Sequence, residues 1–140
     1  MKYKLERVEY LKGLFNKEIS TFGKNDIQTE VNGDIKIGTM NDKETETPVN
    51  LVIKVELNVI ATIEETREKI AEMTTTHILY YAVSKKEMLL EINSNGYTDK
   101  YKEELFDMLN LGYNSVREYI LNTFAKSQIN ISLPYTIMEQ

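Results

Sequence analysis

The sequence is defined first by what it lacks: in 140 residues there is no cysteine, no tryptophan and only one histidine. Without cysteine, disulfides and thiolate metal sites are excluded, and the composition fits a reducing compartment, with the cytoplasm as the expected location. The single imidazole, His77, lies within the run TTTHILYY. Because it sits in a strand-like run, we expect a structural or exposed polar role for it rather than Ser-His-Asp or Cys-His catalysis. No zinc motif of the H-E-x-x-H type occurs, so no metal is predicted.

Long apolar runs are also missing. The N-terminal stretch MKYKLERVEYLKGLF carries Glu6 and Glu9 and has no uninterrupted apolar stretch of signal-peptide length. A membrane-spanning helix needs about 20 apolar residues, so we expect neither a secretory signal nor a membrane-embedded protein. The net charge is −5, and no Lys/Arg cluster is interleaved with aromatic residues, which argues against nucleic-acid binding.

Common catalytic arrangements are absent as well. The pairs Glu64-Glu65 and Glu103-Glu104 could in principle supply an acid and a base, but neighbouring residues point in different directions, so both pairs are expected to face solvent. The six glycines are scattered and form no phosphate-binding loop. Gly112 lies in a helical pattern, where it predicts close packing or a mild kink. The chain is therefore not expected to be an enzyme or to need a cofactor, and a binding role becomes the default.

What the sequence does contain is a series of strand-like patterns followed by one long helical pattern. From Val49 the run VNLVIKVELNVIA alternates apolar residues onto one face, which predicts a half-buried strand at 49–61. The run AEMTTTHILYYAV predicts a second long strand at 71–83, and the two together predict a hairpin. The segment EVNGDIKIGTM at 30–40 predicts a shorter strand nearer an edge, followed by the polar connection NDKETETP.

A helix is predicted over Asp99–Gln128, because apolar residues recur there at spacings of three and four. Such a stripe can cover one face of a sheet. The predicted fold is therefore a single α+β domain over residues 1–140: an antiparallel sheet of about four strands, with a long amphipathic helix and a short helix or tail packed on one side.

The segment NSVREYILNTFAKSQINISLPY at 114–135, in this order after the strands, resembles the SecB family of protein-export chaperones. The positions that carry the likeness in the C-terminal half are Tyr113, Val116, Arg117, Glu118, Ile120, Leu133 and Pro134. A second match is FNKEIS, which is similar to the first strand of that family, through Phe15, Lys17, Glu18, Ile19 and Ser20. The resemblance covers about Phe15 to Pro134.

The resemblance implies an ATP-independent holdase that assembles as a homotetramer, a dimer of dimers, and binds unfolded or nascent polypeptide. Its clients would be exported proteins or a dedicated client such as an antitoxin. Glu18 is the candidate contact for an export motor ATPase, but Thr21, Phe22 and Gly23 stand where the family has a second acid. Nine tyrosines and six methionines fit a surface that accepts diverse apolar segments.

For the client-binding groove, the sequence favours the run from Ile78 to Tyr81 together with a flexible wall in the linking segment. These candidates are Ile78, Leu79, Tyr80, Tyr81, Met88, Leu89 and Leu90. The alternative is that alternate members of these runs form the core. Ile120 and Phe124 are expected to pack either on the sheet or on a neighbouring subunit. A second hypothesis for the whole chain is a non-chaperone α+β adaptor or oligomeric structural protein that binds a folded partner.

Overall fold

A computed structural model describes residues 2–18 and 26–136 of the chain. Its elements are, in chain order, β1 (Tyr3–Lys17), β2 (Ile27–Asn41), β3 (Pro48–Ile63), β4 (Lys69–Val83), α1 (Lys86–Asn95), a 3₁₀ turn (Asp99–Tyr101) and α2 (Lys102–Lys126). The four strands form one antiparallel sheet in the order β1-β4-β3-β2. The predicted α+β class, the antiparallel sheet and the long helix are confirmed, and so is the hairpin of the two long strands.

The core lies between one face of the sheet and the two helices. Alternate residues of β3, from Leu51 to Ile63, are almost fully buried, whereas the intervening residues are only partly covered. The apolar stripe of α2 packs on this face. Its buried members are Leu105, Met108, Leu109, Gly112, Tyr113, Val116, Ile120 and Phe124. Burial of these apolar surfaces is the main stabilising contribution to the fold.

Ile120 and Phe124 pack within the chain and leave no exposed surface. The ring of Phe124 meets the ring of Phe15 on β1 edge to face, with centroids 5.1 Å apart, an arrangement that aromatic pairs favour. Of the two expectations for these residues, packing on the sheet is the one observed.

The N-terminal strand β1 is longer than the sequence indicated, because only the motif at 15–20 marked a strand there. β1 begins at Tyr3 and ends at Lys17, while Ile19 and Ser20 lie outside the described residues. Irregularities between Leu5 and Arg7 and between Tyr10 and Lys12 shift its register against β4. Each shift interrupts the period-two alternation, and this hid the strand from a pattern search.

The linking segment after β4 is the helix α1, and not a flexible wall. Met88, Leu89 and Ile92 are buried on its inner side, where it packs against β2 and β3. α1 ends at Gly96, which has a φ of 73° and donates its backbone N–H to the carbonyl of Ile92. A positive φ is a conformation that glycine adopts without steric cost.

The connection between β2 and β3 is a compact turn organised by Asp42. One carboxylate oxygen of Asp42 accepts the backbone N–H groups of Glu44 and Thr45, at 2.8 and 3.4 Å. Its own N–H donates to the carbonyl of Thr47 at 2.8 Å. Local bonds of this kind are the reason that Asp favours turns. Between β2 and β3, the two strands that this turn joins, Ile35 is aligned with Val55 and Ile37 with Ile53.

Helix α2 approaches the sheet most closely at Gly112. A Cβ built on this residue would be 2.5 Å from both Leu79 Cδ1 and the hydroxyl oxygen of Tyr81 on β4. One turn earlier along α2, the Tyr81 hydroxyl donates to the carbonyl of Met108. The predicted close packing at Gly112 is therefore confirmed, since no larger residue fits without displacing the helix or the two β4 side chains.

We therefore expect Gly112→Val to lower the free energy of unfolding by about 1–3 kcal/mol, the usual cost of overpacking a core. Urea denaturation monitored by circular dichroism measures this quantity. Gly38→Ala is the matched control, because a Cβ at Gly38 meets nothing within 4 Å. The control should be as stable as the parent chain or slightly more stable, and equal stability of both variants would contradict the packing argument.

Candidate functional site

The seven residues predicted to form a client groove do not share one surface. Leu79 and Tyr81 point into the core and are fully buried, whereas Ile78 and Tyr80 are half-buried on the opposite, open face of the sheet. Successive side chains of a strand point to opposite faces, so a run of four neighbours cannot line one groove. For these residues the structure supports the alternative, in which alternate members form the core.

The other three predicted groove residues lie on α1. Met88 and Leu89 are buried in the core, and Leu90 is 54% exposed. This corrects the prediction of a flexible wall, because a helix whose apolar side packs on the sheet has no free apolar side for a client. The predicted groove is thus not assembled in this structure.

The open face of the sheet carries several charged and amide groups beside its apolar residues Val52, Ile60, Ile78 and Tyr80. Lys54 lies 3.1 Å from Glu56, and its hydrogen bond and charge lower the pKa of that carboxyl, with Lys36 and Lys12 adding to the effect. Lys69 lies 2.8 Å from Glu72, which also accepts a hydrogen bond from Asn58 at 2.7 Å. Charged and amide groups at this density keep their hydration, so an unfolded apolar segment gains little by binding here.

An apolar cleft lies instead on the helical side of the sheet, beside the edge strand β2. It has a volume of about 400 Å³ and opens between β2 and the N-terminal half of α2. Its lining residues are Ile35 and Ile37 from β2, Tyr97, and Lys102, Leu105, Phe106 and Leu109 from α2. Ile35, Ile37 and Phe106 are only partly buried, so apolar side-chain surface remains accessible to a ligand.

A second cavity of about 450 Å³ continues along β2 and shares Ile35 with the first. It is lined by Val31, Gly33, Asp34, Ile35, Leu57, Pro134 and Thr136. Gly33 contributes no side chain to this cavity. Leu57 packs against it so closely that a Cβ on residue 33 would be 2.7 Å from Leu57 Cδ2. We call the two cavities together, from Val31 to Ile37, the β2 groove.

The far wall of the second cavity is the segment that follows α2 and runs back along it. Ile129 and Leu133 are buried. The hydroxyl of Tyr113 donates to the carbonyl of Pro134 at 2.9 Å, and the guanidinium of Arg117 donates to the carbonyl of Leu133 at 3.3 Å. Four of the positions that carry the family resemblance therefore hold this segment on α2 and so shape the groove.

The dimensions of the β2 groove suit an extended peptide. Residues 31–37 of a strand span about 20 Å at roughly 3.3 Å per residue, the length of about six extended residues. β2 is also an edge strand, so one side of its backbone has no partner strand within the described residues. The site can thus offer apolar contacts to side chains and hydrogen bonds to a main chain, the combination used in peptide recognition.

The groove could not be recognised from the sequence, because its walls come from β2, the Tyr97 loop, α2 and the C-terminal segment. The sequence did contain one signal, the alternation of Val31, Ile35 and Ile37 on a strand interrupted by Gly33. That pattern marked a strand, but did not show that its apolar face is incompletely covered.

His77 is buried, with 2% of its surface exposed, so of the two expected roles, structural or exposed polar, the structure supports the structural one. Its Nε2 atom lies 2.8 Å from the Thr75 hydroxyl, and its ring lies between those of Tyr10 and Tyr119, at centroid distances of 5.5 and 5.3 Å. Burial lowers the pKa of His77 to about 4, because no carboxylate compensates for the desolvation of an imidazolium.

Glu18 follows the end of β1 and is exposed. Its carboxylate lies 3.4 Å from the ammonium of Lys69, and its backbone N–H donates to the carbonyl of Ile70 at 2.7 Å. The residue is therefore accessible at the surface, but its charge is shared with Lys69.

Within residues 2–18 and 26–136, no group of three or more His, Asp or Glu side chains could hold a metal ion. No helix in the same part of the chain is long and apolar enough to cross a membrane.

Comparison with known proteins places the fold. The chain is similar to the SecB-like chaperone Rv1957 of Mycobacterium tuberculosis, whose structure was solved in complex with a ChAD peptide from the Rv1956 HigA1 antitoxin. The similarity has a TM-score of 0.58 at 9% sequence identity and covers 99% of this chain and 91% of that chain. No protein-family model and no curated protein matches the sequence. The fold is therefore SecB-like, and the likeness is one of structure.

The burial of neutral His77 predicts a loss of stability in acid. The unfolded chain takes up a proton near pH 6.5, whereas the folded chain does so only near pH 4. The contribution of neutral His77 to the free energy of unfolding is fully present above pH 6.5 and is lost as the pH drops towards 4, by an amount on the order of 3 kcal/mol. Urea denaturation of the parent chain and of His77→Gln at pH 7 and pH 4.5 measures it. The variant should show a smaller loss between the two pH values, and an identical loss would refute this origin.

Proposed function

We propose that this protein is an ATP-independent holdase that binds unfolded or nascent polypeptide in the β2 groove. The observation that carries the proposal is the open apolar groove on the helical side of a SecB-like fold. Exposed apolar surface of this extent is typical of interaction sites. Binding itself would suppress aggregation, so no nucleotide chemistry is required.

The kind of client follows from the shape of the groove. A folded protein presents few extended apolar segments, whereas an unfolded chain presents many, and about 20 Å of groove accommodates roughly six residues of one. The similar Rv1957 chaperone was solved with an antitoxin peptide, which supports polypeptide as the ligand class. For the present chain we propose an exported protein or a dedicated client such as an antitoxin, met in the cytoplasm.

Self-assembly is part of the proposal, and the edge strand β1 is the proposed contact surface. Leu14 is 72% exposed, and Tyr10 and Leu11 are each nearly half exposed on the same strand. Tyr119 on α2 packs against Tyr10 with ring centroids 4.9 Å apart and continues this apolar surface. An apolar edge strand invites pairing with another chain. We propose a homo-oligomer built on this edge, with a dimer of dimers as the complete assembly.

An export motor ATPase remains a proposed partner, with Glu18 as the proposed contact. The ion pair with Lys69 reduces the net charge that Glu18 presents, and Thr21, Phe22 and Gly23 supply no second acid in the sequence. These features favour a dedicated client over general export.

The second candidate function is an adaptor or oligomeric structural protein without holdase activity. The exposed apolar edge β1 favours it, because pairing with a copy of the chain would cover apolar side chains on that edge. The two functions differ in the β2 groove, which an adaptor would leave unused.

The groove is tested with Phe106→Ala, which removes an accessible aromatic ring from its wall. We expect about tenfold weaker binding of a fluorescent apolar peptide, since loss of roughly 1.4 kcal/mol of apolar burial gives that factor. Leu111→Ala is the matched control, because Leu111 lies on the same helix, is 44% exposed and is not part of the groove wall. Suppression of client aggregation, followed by light scattering, should fall in parallel. Equal binding by both variants would place the client elsewhere.

The assembly surface is tested with Leu14→Lys, which puts a charge on the β1 edge. The native mass, measured by multi-angle light scattering, should fall to that of a smaller species, because burying an unpaired ammonium opposes association. Leu90→Lys on α1 adds the same charge at an exposed position away from β1 and should keep the parent mass. If Leu14→Lys also keeps it, the β1 edge is not the contact.

A further inference from the structure

The cleft between β2 and α2, which is the first of the two cavities of the β2 groove, carries a local charge that differs in sign from the charge of the whole chain, whereas the second cavity is lined by Asp34. Among the described residues, Lys102 is the only charged one that lines this cleft, while the chain as a whole has a net charge of −5. The long-range field therefore attracts cationic clients, whereas the charge at the binding surface is a cation. Whether the long-range field or the ammonium of Lys102 decides which clients bind depends on whether that ammonium is already paired with a carboxylate.

Lys102 has no ion pair among the described residues. Its ammonium lies 5.6 Å from the ring centroid of Phe106, one turn further along α2, and so stands beside an accessible apolar wall of the cleft. Its neighbours in sequence are used otherwise: Lys100 pairs with Glu91 at 3.5 Å, and Asp99 accepts a hydrogen bond from the Tyr97 hydroxyl at 3.2 Å. The ammonium of Lys102 is thus available to a ligand.

From this arrangement we infer that the cleft between β2 and α2 selects apolar segments that carry an acidic residue at the end next to Lys102. The inference rests on the proposed holdase function and specifies its clients. Apolar side chains would occupy the cleft formed by Ile35, Ile37, Leu105 and Leu109, and a carboxylate next to them would pair with Lys102. A lysine or arginine at the same place on the client would face the like charge of Lys102, which disfavours it.

The exposure of Lys102 limits how strongly its charge can change the affinity for a client. Ion pairs at exposed sites contribute modestly, so a client with flanking Glu should bind about threefold more tightly than one with flanking Gln. A client with flanking Lys should bind more weakly than the Gln form by a similar factor. Because exposed pairs are screened by salt, the preference should shrink between 20 mM and 500 mM NaCl.

The test uses three fluorescent peptides with one apolar core of six residues, flanked on both sides by Glu, Gln or Lys, and fluorescence anisotropy with the full chain. Lys102→Glu should invert the order of affinities. Lys126→Glu is the control: it makes the same change in net charge at the other end of the same helix, where Lys126 is exposed, and it should keep the parent order. The comparison separates local pairing from the long-range field.

The outcomes distinguish this inference from the function on which it rests. If all three peptides bind with equal affinity, or if Lys102→Glu and Lys126→Glu behave alike, the charge selection is wrong and the holdase function stands. If no peptide binds and client aggregation is not suppressed, the holdase function itself fails. If peptide binding disappears as the chain assembles with rising concentration, the occupant of the groove is a second copy, and the inference is overturned.

Discussion

The structure depends on the coverage of one sheet face by two helices. The inward residues of β3 are apolar along their whole length, and those of β4 are apolar except for Thr75 and His77, so their burial requires a close approach of the helices. Gly112 permits this approach for α2, and the hydroxyl of Tyr81 stays satisfied through the Met108 carbonyl. Burial raises the pKa of that hydroxyl, so it remains a hydrogen-bond donor at every physiological pH.

The same coverage explains why an open groove exists. Helix α2 packs over β4 and β1, and α1 packs over part of β3 and β2, so two helices and a short segment must cover four long strands. The stretch of β2 from Val31 to Ile37 is where this cover is incomplete. The two edges of the sheet therefore differ in the apolar surface they present: β1 carries exposed apolar side chains, and β2 carries the groove.

Much of the fold could be predicted from sequence, because long buried strands and one amphipathic helix have strong periodicity. The strands predicted at 49–61 and 71–83 are observed at 48–63 and 69–83. The helix predicted over 99–128 is observed as a 3₁₀ turn followed by α2. β1 was mostly missed, since its two register shifts break the alternation. The site could not be predicted, because distant parts of the chain form its walls. The error at Ile78–Tyr81 had a different cause: strand neighbours were assigned to one surface although they face opposite sides of the sheet.

The Asp42 turn has a consequence for how the sheet reaches its alignment. A slip of two residues between β2 and β3 would keep every apolar side chain on the inner face, so hydrophobic alternation alone does not forbid it. Charges on the outer face do not forbid it either: Lys36 lies opposite Lys54 and Asp34 opposite Glu56 in the native pairing, and a slipped hairpin would place Lys36 opposite Glu56. The local bonds of Asp42, together with the fit of Gly33 against Leu57, thus select among alignments that alternation and charge tolerate. This hairpin is therefore aligned from its loop outward, and loss of the loop's bonds would leave the misaligned pairing of β2 and β3 disfavoured only by the contact of Gly33 with Leu57.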